Sequence, residues 1–185
     1  MPASVEKTYA DALFSLVVEE NKDYRFGFDL VVKQLSTVRD VITGLPEFVK
    51  LLNTPTIAAD DKLALIEKAF KSTTCDNVYN FLRVLTVRGR MSHFNKIYSE
   101  FRLSYNELFN IAEITVTSSM PLTEAIREKI RVRMEQITGK TISMIEKTDK
   151  SIIGGVVVDY GNTRLDGSVK TRLAELKKDI SNIIA

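Results

Sequence analysis

The chain has no tryptophan, one cysteine, one histidine, four prolines and eight glycines in 185 residues. A solitary Cys75 excludes an internal disulfide and a thiolate metal cluster. His93 has neither a nucleophile nor a metal partner at a recognisable spacing, which argues against nucleophilic and zinc chemistry. No metal or cofactor is expected. No apolar run approaches the ~20 residues that span a bilayer. The opening Met-Pro-Ala-Ser-Val-Glu-Lys lacks the basic segment and apolar core of a signal peptide, and lacks the Arg- and Ser-rich pattern of a transit peptide. Neither sign of charge dominates. The 26 basic and 24 acidic residues leave a net charge of +2, without the strongly basic balance that accompanies nucleic-acid binding. Gly154-Gly155 is not a G-x-G-x-x-G fingerprint, and no G-x-x-x-x-G-K-[ST] phosphate loop occurs. Pairs such as Glu19-Glu20 and Asp60-Asp61 fit solvated helix ends better than acid–base work. The expectation is a reduced, cytoplasmic, non-catalytic protein without a small-molecule substrate, attached to any membrane only through a partner.

What is present is helical periodicity. At 44% hydrophobic and 27% charged residues the composition supports a packed core. Ser4 caps a helix from Val5 to about Glu20. Its apolar residues form two faces, Tyr9/Leu13/Leu16 and Ala10/Phe14/Val17, where a surface helix needs only one. This helix is therefore either buried on several sides or offers one face to a partner helix. Phe28, Val31, Leu35, Val38 and Ile42 define a second helix, stopped by Gly44 and Pro46. Further helices are expected over Pro46–Leu52, Ala58–Phe70, Asp76–Val87 and Ser92–Asn110. Six short helices with short connections predict an antiparallel six-helix bundle over residues 1–110.

The period then changes. Glu113–Ser118 alternates as a strand does. A helix from Pro121–Thr123 carries Ile126, Ile130, Met134 and Ile137 and ends at Gly139, and Thr141–Lys147 is a second strand. Ile152–Tyr160 is a third, rich in β-branched residues, with Gly154-Gly155 marking a bulge or a close backbone approach. Gly161-Asn162 is a turn, and Asp166 or Ser168 caps a last helix whose stripe is Val169, Leu173, Leu176, Ile180 and Ile183. Residues 111–185 are thus expected to form a small α+β domain of strands and two helices, making the chain a mostly helical α+β protein. Two basic clusters (Arg127, Lys129, Arg131, Arg133 and Lys170, Arg172, Lys177, Lys178) are interleaved with Glu128, Glu135, Glu175 and Asp179. No aromatics sit among them to stack bases, so they read as solvated faces.

The run "GGVVVDYGNTRLDGSVKTRLAEL" resembles the C-terminal signature of the delta subunits of bacterial F-type ATP synthases, whose mitochondrial counterpart is the oligomycin-sensitivity-conferring protein. Gly154, Gly155, Gly161, Asp166, Ser168 and Leu173 carry it. Asn162 departs from the acidic residue more usual after the glycine, which touches only the turn. "TYADALFSLVVE", "NFLRVLTVRGRMSHFNKI" and "ITVTSSMPLTE" resemble, in order, the family's opening helix, its fifth and sixth helices and the entry to its second domain. The likeness covers nearly the whole chain.

The resemblance implies a stator subunit that joins the catalytic head to the peripheral stalk and resists rotor torque during proton-driven ATP synthesis. In that family the helical bundle holds the N-terminal helix of an alpha subunit in a groove between helices one and five. Here the implied groove residues are Tyr9, Ala10, Leu13, Phe14, Phe81, Leu82 and Leu85, and Leu85→Asp would weaken binding while sparing the fold. The second domain would meet the b subunits through the helix after Ser168 and the edge at Ile152–Tyr160. The implied location is the cytoplasmic face of the inner membrane, peripheral through the complex. A generic helical adaptor and, less favoured, a nucleic-acid-binding protein are the other classes left open by composition.

Overall fold

Helical stripes and one alternating stretch dictate an order of elements that the computed structural model of the chain makes explicit. It describes residues 4–20, 24–169, 171 and 173. The helices are α1 (Val5–Glu20), α2 (Tyr24–Gly44), α3 (Pro46–Asn53), α4 (Ala59–Phe70), α5 (Asp76–Val87), α6 (Phe94–Leu108) and α7 (Glu124–Thr138). The strands are β1 (Ile111–Ser118), β2 (Thr141–Thr148), β3 (Val156–Tyr160) and β4 (Thr163–Asp166). The described chain is mostly helical with a small mixed sheet, an α+β architecture, and divides into compact units Met1–Tyr105 and Asn106–Ala185.

In the first unit the helix ends follow their punctuation. The Ser4 hydroxyl accepts the Lys7 N–H at 3.2 Å, satisfying an orphan donor of α1. Gly89 adopts φ +63, and the Arg90 N–H returns to the Leu85 carbonyl at 2.8 Å, which closes α5 in Schellman fashion. A 3₁₀ turn, Met91–His93, precedes α6, so the single helix expected from Ser92 is a tight turn followed by a helix that ends at Leu108. Helix α2 starts at Tyr24, one turn before the first residue of its stripe. All five of Phe28, Val31, Leu35, Val38 and Ile42 are buried. Phe14 stacks on Phe28 with ring centroids 4.6 Å apart, and Phe101 completes the cluster at 5.9 and 6.1 Å from them. Aromatic groups of this size contribute most of the burial at such a centre.

In the second unit the strand order is β2-β1-β3-β4. Strands β1 and β2 are parallel, which requires the crossover that α7 supplies. Strands β1/β3 and β3/β4 are antiparallel. The alternation of β1 buries Ala112, Ile114, Val116 and Ser118. With Ile142, Val158 and Met134 of α7 the three apolar members form the core of this unit. Strand β3 begins at Val156, four residues later than the β-branched run suggests, because Gly155 at φ +84 leaves the extended region. Strand β4 was not expected. All four of its residues are exposed, so it carries no alternating apolar signal. The unit therefore runs strand, helix, strand, strand, strand. Val169, Thr171 and Leu173 are helical after it, while Leu176, Ile180 and Ile183 lie outside the described residues, as do Lys170, Arg172, Glu175, Lys177, Lys178 and Asp179.

Candidate functional site

Helices α1 and α5 meet along a seam. Tyr9 and Phe81 touch edge to face, ring centroids 6.4 Å apart. Arg90, just beyond α5, donates from Nη1 to the Tyr9 hydroxyl at 2.9 Å and lies 5.3 Å above the Tyr9 ring, a cation–π arrangement. His93 Nδ1 lies 2.9 Å from Glu6 Oε1, and this hydrogen bond holds the Glu6 carboxyl below its ordinary value. These contacts pin the N-terminal half of α1 to α5 and to the segment that follows it.

On a helix, residues three, four and seven apart share a flank. Val5, Ala12 and Leu16 share the flank of Tyr9, and all three are exposed. Val84 and Arg88 share the flank of Phe81, are likewise exposed, and have Val87 beside them. Leu16 is 46% and Val84 48% exposed, large fractions for aliphatic side chains. A hollow of about 380 Å³ opens beside Val84 and Val87, rimmed by Asn80, Arg83 and Arg88. Exposed apolar residues of α1 and α5 thus lie on the flanks that carry Tyr9 and Phe81.

The structure moves most of the sequence-derived groove residues inward. Ala10, Leu13, Leu82 and Leu85 are each no more than 1% exposed. Phe14 points at Phe28 and Phe101. A side chain enclosed by its own core cannot also be a surface that another helix touches. Tyr9 and Phe14 stay half-buried and Phe81 is 9% exposed, and Leu85→Asp is accordingly a core substitution, not a probe of binding. Helical period gives the apolar residues of α1 and α5 without saying which flank faces out, so the exposure of Val5, Ala12, Leu16, Val84 and Val87 was not legible in it. The second face noticed on α1 was the available signal.

The C-terminal signature residues form a clasp. A Cβ at Gly155 would stand 2.4 Å from the Gly167 carbonyl oxygen and 3.0 Å from Ser168 Cα, and one at Gly154 would stand 3.3 Å from Val169 Cγ2. This is the close backbone approach that the glycine pair suggests. The Val169 N–H donates to the Gly154 carbonyl and the Gly167 N–H to the Val156 carbonyl, both at 2.9 Å. Asp166 Oδ1 accepts the Ser168 N–H at 2.8 Å, its Oδ2 accepts the Thr171 hydroxyl at 2.8 Å, and the Ser168 hydroxyl accepts the Thr171 N–H at 3.2 Å. Ser168 is thus the cap, and Asp166 braces it. Gly161, at φ +54, turns β3 into β4, and Leu173 is exposed.

The donors around Asp166, the Ser168 N–H first, hold its carboxyl below the usual carboxylate range. A depressed folded-state pKa stabilises the fold above the unfolded value and ceases to do so as pH falls through the folded one. Stability of the wild type relative to Asp166→Asn is therefore expected to shrink between about pH 5 and pH 3. Urea unfolding at both pH values measures it. A difference independent of pH would remove the charge from the account of the clasp.

Among the described residues no group of three or more His, Cys, Asp or Glu is placed to hold a metal, and no helix is long and apolar enough to cross a membrane. Of the α7 cations, Arg127 bonds Glu146 at 2.6 Å and also pairs with Glu124, and Arg131 pairs with Glu128 at 2.9 Å.

Residues 5–180 match the family model for the ATP synthase delta (OSCP) subunit. The ATP synthase subunit delta of Alkaliphilus oremlandii is 32% identical over 184 residues, covering 100% of this chain and 99% of that protein. That of Clostridioides difficile is 32% identical over 182 residues, covering 98% of each. That of Brevibacillus brevis is 34% identical over 173 residues, covering 94% of this chain and 96% of its own. In fold, the chain is similar to one in the cryo-EM structure of the Toxoplasma gondii mitochondrial ATP synthase hexamer, with TM-score 0.69, 21% identity and 99% of both chains covered. By its match across both units, this chain belongs to the ATP synthase delta (OSCP) subunit family.

Proposed function

We propose that the chain is a stator component of an F-type ATP synthase, a non-catalytic clamp between the catalytic head and the peripheral stalk. The family match over residues 5–180 carries this reading. The helical part, taken as a six-helix bundle over residues 1–110, holds the N-terminal helix of an alpha subunit. The part from 111 to 185 meets the b subunits. The subunit works at the cytoplasmic face of the inner membrane, held there through the complex. The exposed apolar flanks of α1 and α5 beside Tyr9 and Phe81, read as one trough, support the first assignment. Their aliphatic residues suit the apolar face of an amphipathic helix.

The task is mechanical. A rotor turning inside the head drags on it, and the clamp must outlast each step. Several apolar anchors entering one trough slow dissociation, since interface differences show mainly in the off-rate.

Calorimetric titration of the full chain with a peptide of the cognate alpha subunit's N-terminal helix tests the assignment. The expected result is one-to-one binding with a negative heat-capacity change from apolar burial. Leu16→Asp is expected to weaken it by roughly tenfold or more, or about 1.4 kcal/mol. A folded Leu16→Asp variant that binds as tightly as the wild type would sink the trough assignment.

A further inference from the structure

Gly167 is the only one of the eight glycines that follows an aspartate or an asparagine. An Asp-Gly pair is prone to succinimide formation, because no Cβ shields the glycine amide from the carboxyl beside it. The fold calls for glycine at this position. A Cβ on residue 167 would stand 3.2 Å from the Val156 carbonyl oxygen, and the Gly167 carbonyl oxygen is itself what a Cβ on Gly155 would strike. The backbone approach that closes the clasp therefore also places a reactive bond in it.

Burial does not shield that bond, since Asp166 and Gly167 are both exposed. Hydrogen bonds hold its two reacting groups apart. The Gly167 N–H donates to the Val156 carbonyl at 2.9 Å. Asp166 Oδ1 accepts the Ser168 N–H and Oδ2 the Thr171 hydroxyl, each at 2.8 Å. Pairing with Val157 keeps the Asp166 backbone in β4. For the ring to close, the Gly167 nitrogen must leave Val156, and the carboxyl must turn away from Ser168 and Thr171. The carboxyl must also be neutral so that its hydroxyl can depart, and the same donors favour its ionised form.

We propose that Asp166–Gly167 is a site of spontaneous isomerisation to isoaspartate, blocked while the clasp is closed and exposed when it opens. In the open form the Gly167 nitrogen attacks Cγ of the protonated Asp166 carboxyl. The N–Cγ bond forms and the Cγ–OH bond breaks, and the hydroxyl leaves with the amide hydrogen as water. Water then opens the cyclic imide. Addition at Cγ restores aspartate. Addition at the main-chain carbonyl carbon leaves the chain running through Cβ and Cγ, with the former main-chain carbonyl as a free carboxylate on Cα. Only water takes part, and nothing is oxidised or reduced. The isomer has one more carbon in its main chain and a carboxylate one carbon closer to it. It cannot keep Gly167 on Val156 and also brace Ser168 and Thr171, so each event removes a closed clasp from the folded population.

The test follows isoaspartate at position 166 in the full chain near neutral pH, by peptide mapping against synthetic aspartyl and isoaspartyl standards. The same chain unfolded in urea supplies the unprotected rate, and hydrogen exchange at the Gly167 amide supplies the open fraction. Folded wild type is expected to isomerise at least about tenfold more slowly than the unfolded chain, in step with its open fraction. Thr171→Val removes one brace and keeps the shape of the side chain, Gly155→Ala forces the two backbones apart, and urea below the unfolding midpoint loosens the wild type itself. In each case the rate should rise with Gly167 exchange. Isomerisation of the folded wild type at the unfolded rate would overturn the protection. Absence of isoaspartate from the unfolded chain would overturn the site. A rate that stays flat while Gly167 exchange rises would overturn the gating by the clasp.

Discussion

Leu85→Asp is expected to unfold the helical unit, and Val84→Asp, one residue away, to leave it folded and, on the proposed assignment, unable to bind the alpha-subunit peptide. Leu85 is 0% exposed and Val84 48%. Truncating a buried leucine costs about 2–5 kcal/mol through lost transfer energy and the cavity left behind. A carboxyl without a partner adds about 1–3 kcal/mol for the buried polar group, and more if it stays ionised. Together these approach the whole stability of an ordinary domain, about 5–15 kcal/mol. Burial raises the carboxyl's pKa, so the folded state of Leu85→Asp binds a proton that the unfolded state releases, and its deficit should shrink as pH falls. At Val84 the carboxylate remains in water. Its cost is within about 1 kcal/mol, mostly from negative charge in the last turn of α5. The same carboxylate blocks an apolar helix, because binding would have to desolvate it. Urea unfolding at pH 7 and pH 5, with titration of the alpha-subunit peptide, separates the two effects. A cooperative melt near the wild-type midpoint for Leu85→Asp would mean that α5 is rotated from its position here. Full affinity in folded Val84→Asp would take the trough away from α5.

This pair also shows how far the sequence can be read. The start of α1 and the end of α5 were legible, because Ser4 and Gly89 are local signals acting on the backbone within a turn. The inward stripe of α2 was legible for the same kind of reason, with Phe28, Val31, Leu35, Val38 and Ile42 all buried. Flank assignment on α1 and α5 was not. Apolar residues cover more than one side of each helix, and which side closes against neighbours depends on partners distant in sequence. Tyr9 finds Phe81 and Arg90 across the chain. Strand β4 was illegible because pairing with β3 needs only backbone groups, and its exposed side chains leave no pattern. The pairing of Arg127 was also hidden. Glu146, which pairs with it, comes from β2, and only the fold brings it there.

Gly155→Ala is expected to cost more than Gly154→Ala or Gly161→Ala and to open the C-terminal clasp. A left-handed φ of +84 alone costs a residue with a Cβ about 1–3 kcal/mol. Here the added carbon also lands 2.4 Å from the Gly167 carbonyl oxygen and 3.0 Å from Ser168 Cα. Both obstacles are backbone, so relief requires moving residues 154–156 away from 167–169. That movement pulls on the bonds from Val169 to Gly154 and from Gly167 to Val156. It also shifts Ser168, which caps the helix through Thr171. At Gly154 the obstacle is Val169 Cγ2 at 3.3 Å, which can rotate. At Gly161 nothing lies within 4 Å, so only its φ of +54 opposes a side chain. The expected order of destabilisation is therefore Gly155→Ala well above Gly154→Ala and Gly161→Ala, with Gly161→Asn the mildest, since asparagine tolerates left-handed backbone. Hydrogen exchange at the Gly167 and Val169 amides reads the clasp itself, and thermal unfolding reads the unit. Both amides should exchange fastest in Gly155→Ala, with protection in β1 least affected. Equal losses at Gly155 and Gly161 would show that conformational freedom alone, and not close backbone approach, explains the glycine pair. The ordered series would instead tie the Gly-Gly of the signature to the Asp-Gly-Ser that follows it, as two halves of one contact.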